Sequence, residues 1–182
     1  MSSVADGVAA AALALGPAAA ITSAYLQQRG LRPYAEASAL LLADTGADGR
    51  EFLLTPTATQ AWQAMKAAAA GEGITLVLES AFRSVARQVE ILQAKLAAGQ
   101  ALADVLRLVA PPGYSEHHTG CAVDIGTPGS LALQEEFETT TAFEWLQANA
   151  AGHGFVMSFP RGNAQGYSYE PWHWCFQGPT AV

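Results

Sequence analysis

Two adjacent histidines stand close to an aspartate that lies, a few residues on, in a small apolar run. The segment GYSEHHTGCAVDIG, residues 113–126, contains His117, His118 and Asp124. Its CAVDIG part has the character of a buried strand, and a carboxylate on a buried strand face is costly unless it is paired, hydrogen-bonded or bound to metal. Gly120 can bend the chain so that His117 returns towards Asp124. The segment therefore predicts either half of a zinc site or a hydrogen-bonded His–Asp pair in a polar core.

A second group of polar residues lies near the end of the chain, in YSYEPWHWCF, where Glu170 precedes His173 by three positions. Residues three apart on a regular strand face opposite ways, but Pro171 can break that regularity and let both side chains reach one cleft. Together, His117, Asp124 and His173 would be three zinc ligands with a fourth position open, which is the pattern of catalytic zinc sites. Glu170 would then be placed to take a proton from the activated water.

A single arginine follows a short apolar strand. Arg83, in ESAFRSVARQ, comes directly after the predicted strand ITLVLES. A fixed guanidinium at a strand end can stabilise an oxyanion or bind a carboxylate. The alternative is a surface arginine at the start of a helix, although a cation is slightly disfavoured at that end of a helix.

Three motifs together resemble the VanY-type zinc D-alanyl-D-alanine carboxypeptidases. SEHHTGCAVD matches the Ser-x-His-x-x-Gly-x-Ala-x-Asp pattern of that family, and EPWH matches its Glu-x-Trp-His. SAFRSVARQ is similar to its Ser-Gly-Tyr-Arg-Ser-x-x-x-Gln segment, with Ala81 in place of glycine and Phe82 in place of tyrosine. Order and spacing agree over about residues 54–178, so the linked motifs are a specific signal, whereas Glu-x-Trp-His alone would be weak.

The resemblance implies a role for each matching residue. His117, Asp124 and His173 would bind one Zn²⁺ per chain. Glu170 would act as general base and then deliver a proton to the leaving amine. Arg83 would stabilise the oxyanion or grip the peptide.

Several further residues receive less specific expectations. By the resemblance, Ser115 and Gln88 would bind substrate or support the site. The family pattern assigns the metal to His117 and leaves His118 at a variable position, a choice that the chemistry of the residues alone leaves open. His153, between two glycines, is expected in a loop outside the zinc site. Three aromatic residues are expected in the cleft wall and the core: Tyr169, Trp172 and Trp174.

The elements that must position these residues are short and follow no regular βαβ alternation. The expected elements begin with a hairpin in ALLLADTGADGREFLL and a helix that has Thr55 as its N-cap, Pro56 at its first position and Gly71 at its end. The strand ITLVLES and helices in RSVARQVEILQAKLAAGQ and ALADVLRLVA follow. The strand CAVDIG, a helix around TAFEWLQANAA and the strand WHWCF complete the order. This order favours an α+β fold with a small, mostly antiparallel sheet. The resemblance implies the same architecture, a hedgehog/D,D-peptidase-like sheet that carries the zinc site and is flanked by helices.

Length and charge limit the classes of protein. The chain has 182 residues, about half of them hydrophobic, which suits one globular domain. A net charge of −7 without a basic cluster argues against nucleic acid and against an anionic membrane surface. Residues 1–30 are predicted to be an N-terminal helical segment, broken near Pro17, and residues 31–182 a single zinc peptidase domain. No membrane span is expected, and the first basic residue is Arg29, so a typical export signal is not evident.

The resemblance also implies a substrate class. Peptidoglycan stem peptides or muropeptides would lose a C-terminal D-alanine through a D,D- or L,D-carboxypeptidase reaction. Alternatives on the same fold are an L-alanyl-D-glutamate endopeptidase and a non-catalytic peptide-binding module, and the presence of Glu170 favours an enzyme. No obligate protein partner is evident. The substrate suggests the cell envelope or periplasm, with a cytoplasmic enzyme acting on soluble fragments as the alternative.

The two cysteines are expected to be free thiols. Strand parity places Cys121 on the face opposite Asp124, and Cys175 on the same face as His173. If the two strands are neighbours, the sulfur atoms lie on opposite faces of the sheet and cannot meet the geometry of a disulfide.

Overall fold

The computed structural model describes residues 21–178 of the chain. In order, its helices and strands are α1 (Ser23–Gln28), β1 (Leu41–Thr45), β2 (Glu51–Leu54), α2 (Pro56–Gly71), β3 (Val77–Ser80), α3 (Val85–Ala97), α4 (Leu102–Leu108), β4 (Ala122–Gly126), α5 (Thr141–Asn149), β5 (Phe155–Met157) and β6 (His173–Phe176). Short 3-10 turns occur at Glu116–Thr119, Glu135–Thr139 and Ala150–His153.

The strands form two antiparallel sheets within the described residues. One is the predicted hairpin of β1 and β2, and the other has the order β3–β4–β6–β5. Every neighbouring pair in the larger sheet is antiparallel. The α+β prediction with a small antiparallel sheet is therefore confirmed, although the three-residue strand β5 was not expected.

The register between β4 and β6 decides which side chains share a face. Asp124 lies opposite His173, and Ala122 lies opposite Cys175. Alternate residues of a strand share a face, so these four side chains project from one side of the sheet. Cys121 belongs to the other side. Both cysteines are free thiols, as predicted from strand parity.

Helix α2 forms the core against the opposite face of this sheet. Thr55 has the extended backbone of an N-cap, Pro56 occupies the first turn, and the alanine-rich interior has high helix propensity. Trp62, Met65 and Ala69 recur at helical spacing and are fully buried. Each large buried side chain contributes about 1.5–3 kcal/mol, so this helix firmly backs the sheet that carries the site.

A second hydrophobic cluster joins α3 and α4. Leu92 and Val105 are almost completely buried there, and Ile21 and Tyr25 from the α1 region pack against them. The predicted helix around Pro17 lies outside the described residues, and the division of the chain at residue 30 stays a prediction. Along residues 21–178, no helix combines the length and hydropathy needed to cross a membrane.

Candidate active site

A cleft of about 470 Å³ opens over the face of the sheet that carries Asp124 and His173. Its inner end is formed by β4, β6 and the turn Glu116–Thr119. Its outer end is formed by α3, the end of α4 and residues 132–134. The predicted chemistry-bearing residues of the two sequence motifs therefore meet at one place.

His117, Asp124 and His173 form a compact buried group at the inner end. Nε2 of His117 lies 3.3 Å from Oδ2 of Asp124, and Nδ1 of His173 lies 2.9 Å from Oδ1. One candidate ligand atom from each residue lies within 4.8 Å of the other two, a spacing that could hold one metal ion. Imidazole nitrogen and carboxylate oxygen are donors that zinc accepts.

His117 reaches this group because of a tight local turn. Ser115 caps the turn, and its hydroxyl accepts a hydrogen bond from the backbone N–H of His117 at 3.4 Å. Gly120 ends the turn in the left-handed region at φ 64°, and a Cβ atom there would lie 2.9 Å from the side chain of Leu40. Glycine is thus required both for the backbone conformation and for the space. The bend predicted at Gly120 is present.

The second nitrogen of each imidazole already has a partner. Nδ1 of His117 lies 2.7 Å from the carbonyl oxygen of Ala81, which leaves Nε2 free to face Asp124. Nε2 of His173 lies 3.1 Å from Oε2 of Glu116, while Nδ1 faces Asp124. Metal-binding histidines characteristically use their other nitrogen to donate to a carbonyl or carboxylate. The donor set and its orientation fit a zinc ion.

The charges in this group are strongly coupled. Burial alone would lower the pKa of His173, but the hydrogen bonds to Asp124 and Glu116 raise it to about 10. Burial would raise the pKa of Asp124, yet the neighbouring imidazoles of His117 and His173 hold it well below its usual range. Burial lowers the pKa of His117. The negative charge of Asp124 is therefore concentrated at the centre of the group, where it favours a cation.

Glu170 lies beside the group but outside the three donors. Its Oε2 is 3.9 Å from Nδ1 of His173, because the turn at Pro171 and Trp172 brings both side chains into the cleft. Burial raises the pKa of Glu170 to about 7; the positive charge of His173 opposes this rise, and the negative charge of Asp124 adds to it. A carboxyl group with a pKa near neutrality is suited to move protons at physiological pH.

Arg83 is held at the edge of the same group. Its guanidinium donates to Oε1 of Gln88 at 3.1 Å and to Oγ of Ser80 at 2.9 Å, and Nη2 lies 3.9 Å from Oδ2 of Asp124. Gln88 is completely buried, and its amide donates to the carbonyl oxygen of Ala110 at 2.7 Å. Gln88 therefore does not contact the cleft in this structure but orients Arg83, whereas Arg83 itself lines the cleft.

The structure separates the two adjacent histidines. His118 is completely buried outside the three-residue group; its Nδ1 donates to the carbonyl oxygen of Arg83 at 2.6 Å, and its Nε2 accepts from the backbone N–H of Gly113 at 3.1 Å. The His118 ring therefore stabilises the backbone at Arg83 and has a structural role. His153 stacks on Trp145, with ring centroids 6.2 Å apart, and is not part of the three-residue group.

The three aromatic residues near His173 have different surroundings. Trp172 lines the cleft and Trp174 is buried in the core, as expected. Tyr169 differs from the expectation: it is half-buried beneath Arg161, whose guanidinium carbon lies 3.9 Å from the ring centroid. Its ring packs against the exposed Arg161 and does not line the cleft.

Sequence reasoning missed two residues that surround His173. Phe159 lies against the His173 ring, with centroids 4.7 Å apart. Glu116 stands between Ser115 and His117 in the first motif, and its carboxylate also accepts a hydrogen bond from Ser158 at 2.6 Å. An acidic residue directly beside a candidate ligand in a buried stretch was a usable signal for Glu116, whereas nothing in the sequence links Phe159 to the site.

The outer end of the cleft is less polar and more exposed. Ile91 and Lys95 of α3 line one side, Leu108 at the end of α4 continues it, and Leu133 lies on the other side. Leu133 has a positive φ of 55°, which is rare for a bulky residue. A peptide occupying the inner site could extend along these side chains.

Fold and site together place a His–Asp–His group on one face of an antiparallel sheet. The family model for VanY, D-alanyl-D-alanine carboxypeptidase, matches residues 51–179. The chain belongs to this family, and the resemblance stated from the motifs is confirmed.

Individual relatives agree with this assignment. The chain is 37% identical over 129 residues to the putative carboxypeptidase YodJ of Bacillus subtilis, covering 69% of this chain and 46% of YodJ. It therefore spans about half the length of the curated relatives it matches.

Two solved structures are similar over 80% and 81% of the chain. The LdcB LD-carboxypeptidase, whose structure concerns peptidoglycan recognition, has a TM-score of 0.72 and 32% identity over 80% of this chain and 71% of its own. A glutamate-to-alanine mutant of the vancomycin-resistance D,D-pentapeptidase VanY, in complex with Zn(II), has a TM-score of 0.63 and 27% identity over 81% of this chain and 84% of its own.

Proposed function

We propose that this protein is a zinc carboxypeptidase that removes the C-terminal D-alanine from peptidoglycan stem peptides. The observation that carries the proposal is the convergence of His117, Asp124 and His173 in a cleft beside the buried carboxyl group of Glu170. The similarity to LdcB supports peptidoglycan as the substrate class, and the similarity to zinc-containing VanY supports the metal.

Zinc would be held by Nε2 of His117, Nδ1 of His173 and the carboxylate of Asp124. Bound there, it would supply a Lewis acid that polarises the scissile carbonyl and makes a water molecule more acidic. The remaining steps fall to side chains of this chain. The burial of all three ligands excludes bulk water from the inner end, which strengthens electrostatic interactions with the substrate.

Glu170 would move the protons. It accepts one from the attacking water and afterwards delivers it to the nitrogen of the leaving D-alanine. A pKa of about 7 suits both steps, because the group can gain and lose a proton near neutral pH. The backbone turn between Glu170 and His173 keeps the carboxyl beside the group without making it a ligand.

Arg83 and Ser115 would bind the substrate. The guanidinium of Arg83 is fixed from behind by Gln88 and Ser80, so it is preorganised to meet negative charge. That charge is either the developing oxyanion or the terminal carboxylate of the peptide. The buried hydroxyl of Ser115 lines the same part of the cleft and offers a polar contact to the peptide backbone.

The test is incubation of the zinc-loaded protein with tetrapeptide and pentapeptide muropeptides, followed by mass measurement of the products. Loss of one alanine from the pentapeptide identifies a D,D-carboxypeptidase, and loss from the tetrapeptide identifies an L,D-carboxypeptidase. Cleavage between L-alanine and D-glutamate would instead identify an endopeptidase. Tight binding without any product would assign a peptide-binding module and refute the proposed activity.

A further inference from the structure

We propose that Glu116 is a positioning residue, whose carboxylate fixes the tautomer and orientation of His173 so that Nδ1 faces the metal. The inference rests on the proposed metal site, but it concerns a residue that lies outside the three donors. It assigns a purpose to a partly buried acid that the proposed reaction does not otherwise use.

The His173 ring lies between two carboxylates. Oε2 of Glu116 is 3.1 Å from Nε2, and Oδ1 of Asp124 is 2.9 Å from Nδ1. An ionised carboxylate only accepts hydrogen bonds, so the Glu116 side of the ring must carry the hydrogen. With the Nε2–H directed at Glu116, the favoured tautomer has its lone pair on Nδ1, and that lone pair faces the candidate metal site.

Glu116 is itself held in place. The hydroxyl of Ser158 donates to Oε2 at 2.6 Å, and the hydroxyl of Tyr34 donates to Oε1 at 3.4 Å. The Thr119 hydroxyl donates to the backbone carbonyl of Glu116 at 2.6 Å, which stabilises the turn that carries it. A carboxylate restrained from several directions can restrain its own partner.

The other contacts of His173 do not fix which ring nitrogen carries the hydrogen, so this role falls to Glu116. Phe159 packs against the face of the ring and limits its tilt, but it offers no acceptor to Nε2. Without Glu116, the ring could turn over and present Nε2 instead of Nδ1 to the metal, or populate the wrong tautomer. Either change weakens metal binding, and partners of metal-ligating histidines typically contribute 10–100-fold in affinity or activity.

A competing role must be distinguished, because Glu116 also lines the cleft. A residue that only contacts substrate would change KM and leave the affinity for zinc unaltered. A positioning residue changes the affinity for zinc and the tautomer of His173 even when no peptide is present.

The experiment measures zinc affinity by competition with a chromophoric chelator in Glu116→Ala, Glu116→Gln and Ser158→Ala proteins. Glu90→Gln is the matched control, because it makes the same chemical change at an exposed glutamate on α3. We expect about 10–100-fold weaker binding in Glu116→Ala. A smaller loss is expected in Glu116→Gln, whose amide oxygen still accepts a hydrogen bond, and the smallest in Ser158→Ala. Glu90→Gln should bind zinc like the wild type.

Nitrogen NMR of the zinc-loaded proteins provides the second measurement. The wild type should show His173 protonated at Nε2, and Glu116→Ala should lose that single state. Wild-type zinc affinity together with an unchanged His173 tautomer in Glu116→Ala would overturn the proposal, as would a change confined to KM. If Glu116→Ala did not fold, equal zinc affinities of Glu116→Gln and Glu90→Gln would overturn it.

These results are independent of the proposed reaction. A wild-type protein that bound zinc but released no alanine would refute the carboxypeptidase activity, while the affinities of the variants would still decide the role of Glu116. A wild type that bound no zinc would refute both.

Discussion

The inner and outer ends of the cleft are built in different ways. At the inner end, His117, Asp124 and His173 are at most 4% exposed, and their imidazole nitrogens and carboxylate oxygens face polar partners. At the outer end, Leu108 is 52% and Leu133 41% exposed. These three residues of the inner end belong to the sequence motifs, and the outer end consists of residues that no motif includes.

This difference indicates that the inner and outer ends of the cleft have different functions. A buried polar group that loses its partner costs about 1–3 kcal/mol, and more if it is charged, so few substitutions are tolerated at the inner end. Exposed apolar side chains at the outer end each contribute little and can be exchanged. We therefore expect the inner end to determine the chemistry and the outer end to determine which peptides enter.

The largest effect should come from removing a ligand. His117→Ala should abolish stoichiometric zinc binding and with it all turnover, because two remaining ligands do not hold zinc firmly. Elemental analysis of the purified protein measures the metal content. His153→Ala is the control, since that ring stacks on Trp145 outside the group, and it should retain the metal. Retention of zinc by His117→Ala and its loss from His118→Ala would reverse the ligand assignment.

Glu170→Gln should retain zinc but lose turnover. The amide has nearly the same shape as the carboxyl group but cannot accept the proton, and loss of a general base typically costs about 10²–10⁴ in rate. Steady-state kcat, measured on protein of verified zinc content, tests this. A near-normal kcat would mean that Glu170 is not the base.

Arg83→Lys should be damaging although it preserves the charge. Lysine cannot reproduce the planar fork that contacts Gln88 and Ser80 and still faces the cleft. Loss of one oxyanion donor typically costs about 10²–10³ in rate. Arg87→Lys is the matched control, because Arg87 pairs with Glu90 on the exposed side of α3. Equal kcat/KM values for the two variants would exclude a direct role for Arg83.

We also expect the buried Glu170 carboxyl group to lower the stability of the metal-free protein as the pH rises. Burial raises the pKa of Glu170 from its ordinary 4.5 to about 7, so the folded state binds this proton more tightly than the unfolded state does. The stabilisation from this group is complete below about pH 4.5 and is lost as the pH rises towards 7. Metal-free Glu170→Gln should therefore become more stable relative to wild type as the pH rises, by about 3 kcal/mol between pH 4 and pH 8.

Urea unfolding in the presence of a chelator measures this difference. Glu136→Gln, at an exposed position of the turn Glu135–Thr139, is the control and should show no such dependence on pH. A constant stability difference between wild type and Glu170→Gln across this range would contradict the raised pKa.

The smallest effect is expected at the outer end. Leu133→Ala removes part of an exposed apolar wall, and the loss of such a contact should raise KM by roughly tenfold or less. Zinc content and kcat should stay unchanged. A large fall in kcat would mean that the outer end takes part in the chemistry and that the two ends are not separate.

Much of the inner end could be predicted because local rules determine it. Strand parity places Asp124, and the opposing register of β4 and β6 brings His173 to it. Gly120 in the left-handed region turns His117 back, and Pro171 belongs to the turn that aims Glu170 into the cleft. Strand parity, Gly120 and Pro171 act over a few residues, so the sequence was sufficient for them, whereas the pairing of β4 with β6 joins residues 49 positions apart.

The remaining features depend on contacts between distant parts of the chain. Ser158 is 42 positions from Glu116, and Tyr34 is 82 positions from it. The orientation of Gln88 depends on the carbonyl oxygen of Ala110, which only the packing of α3 and α4 brings near. Strand β5 has three residues and too little periodicity to be recognised before its pairing with β6 is known.

The most direct measurement is anomalous diffraction at the zinc edge from crystals of the zinc-loaded Glu170→Gln protein. We predict one zinc peak at the inner end of the cleft, about 2.0–2.2 Å from Nε2 of His117, Nδ1 of His173 and an oxygen of Asp124. Glu116 should remain on Nε2 of His173. A peak ligated by His118, or by Nε2 of His173 with Glu116, would contradict the account.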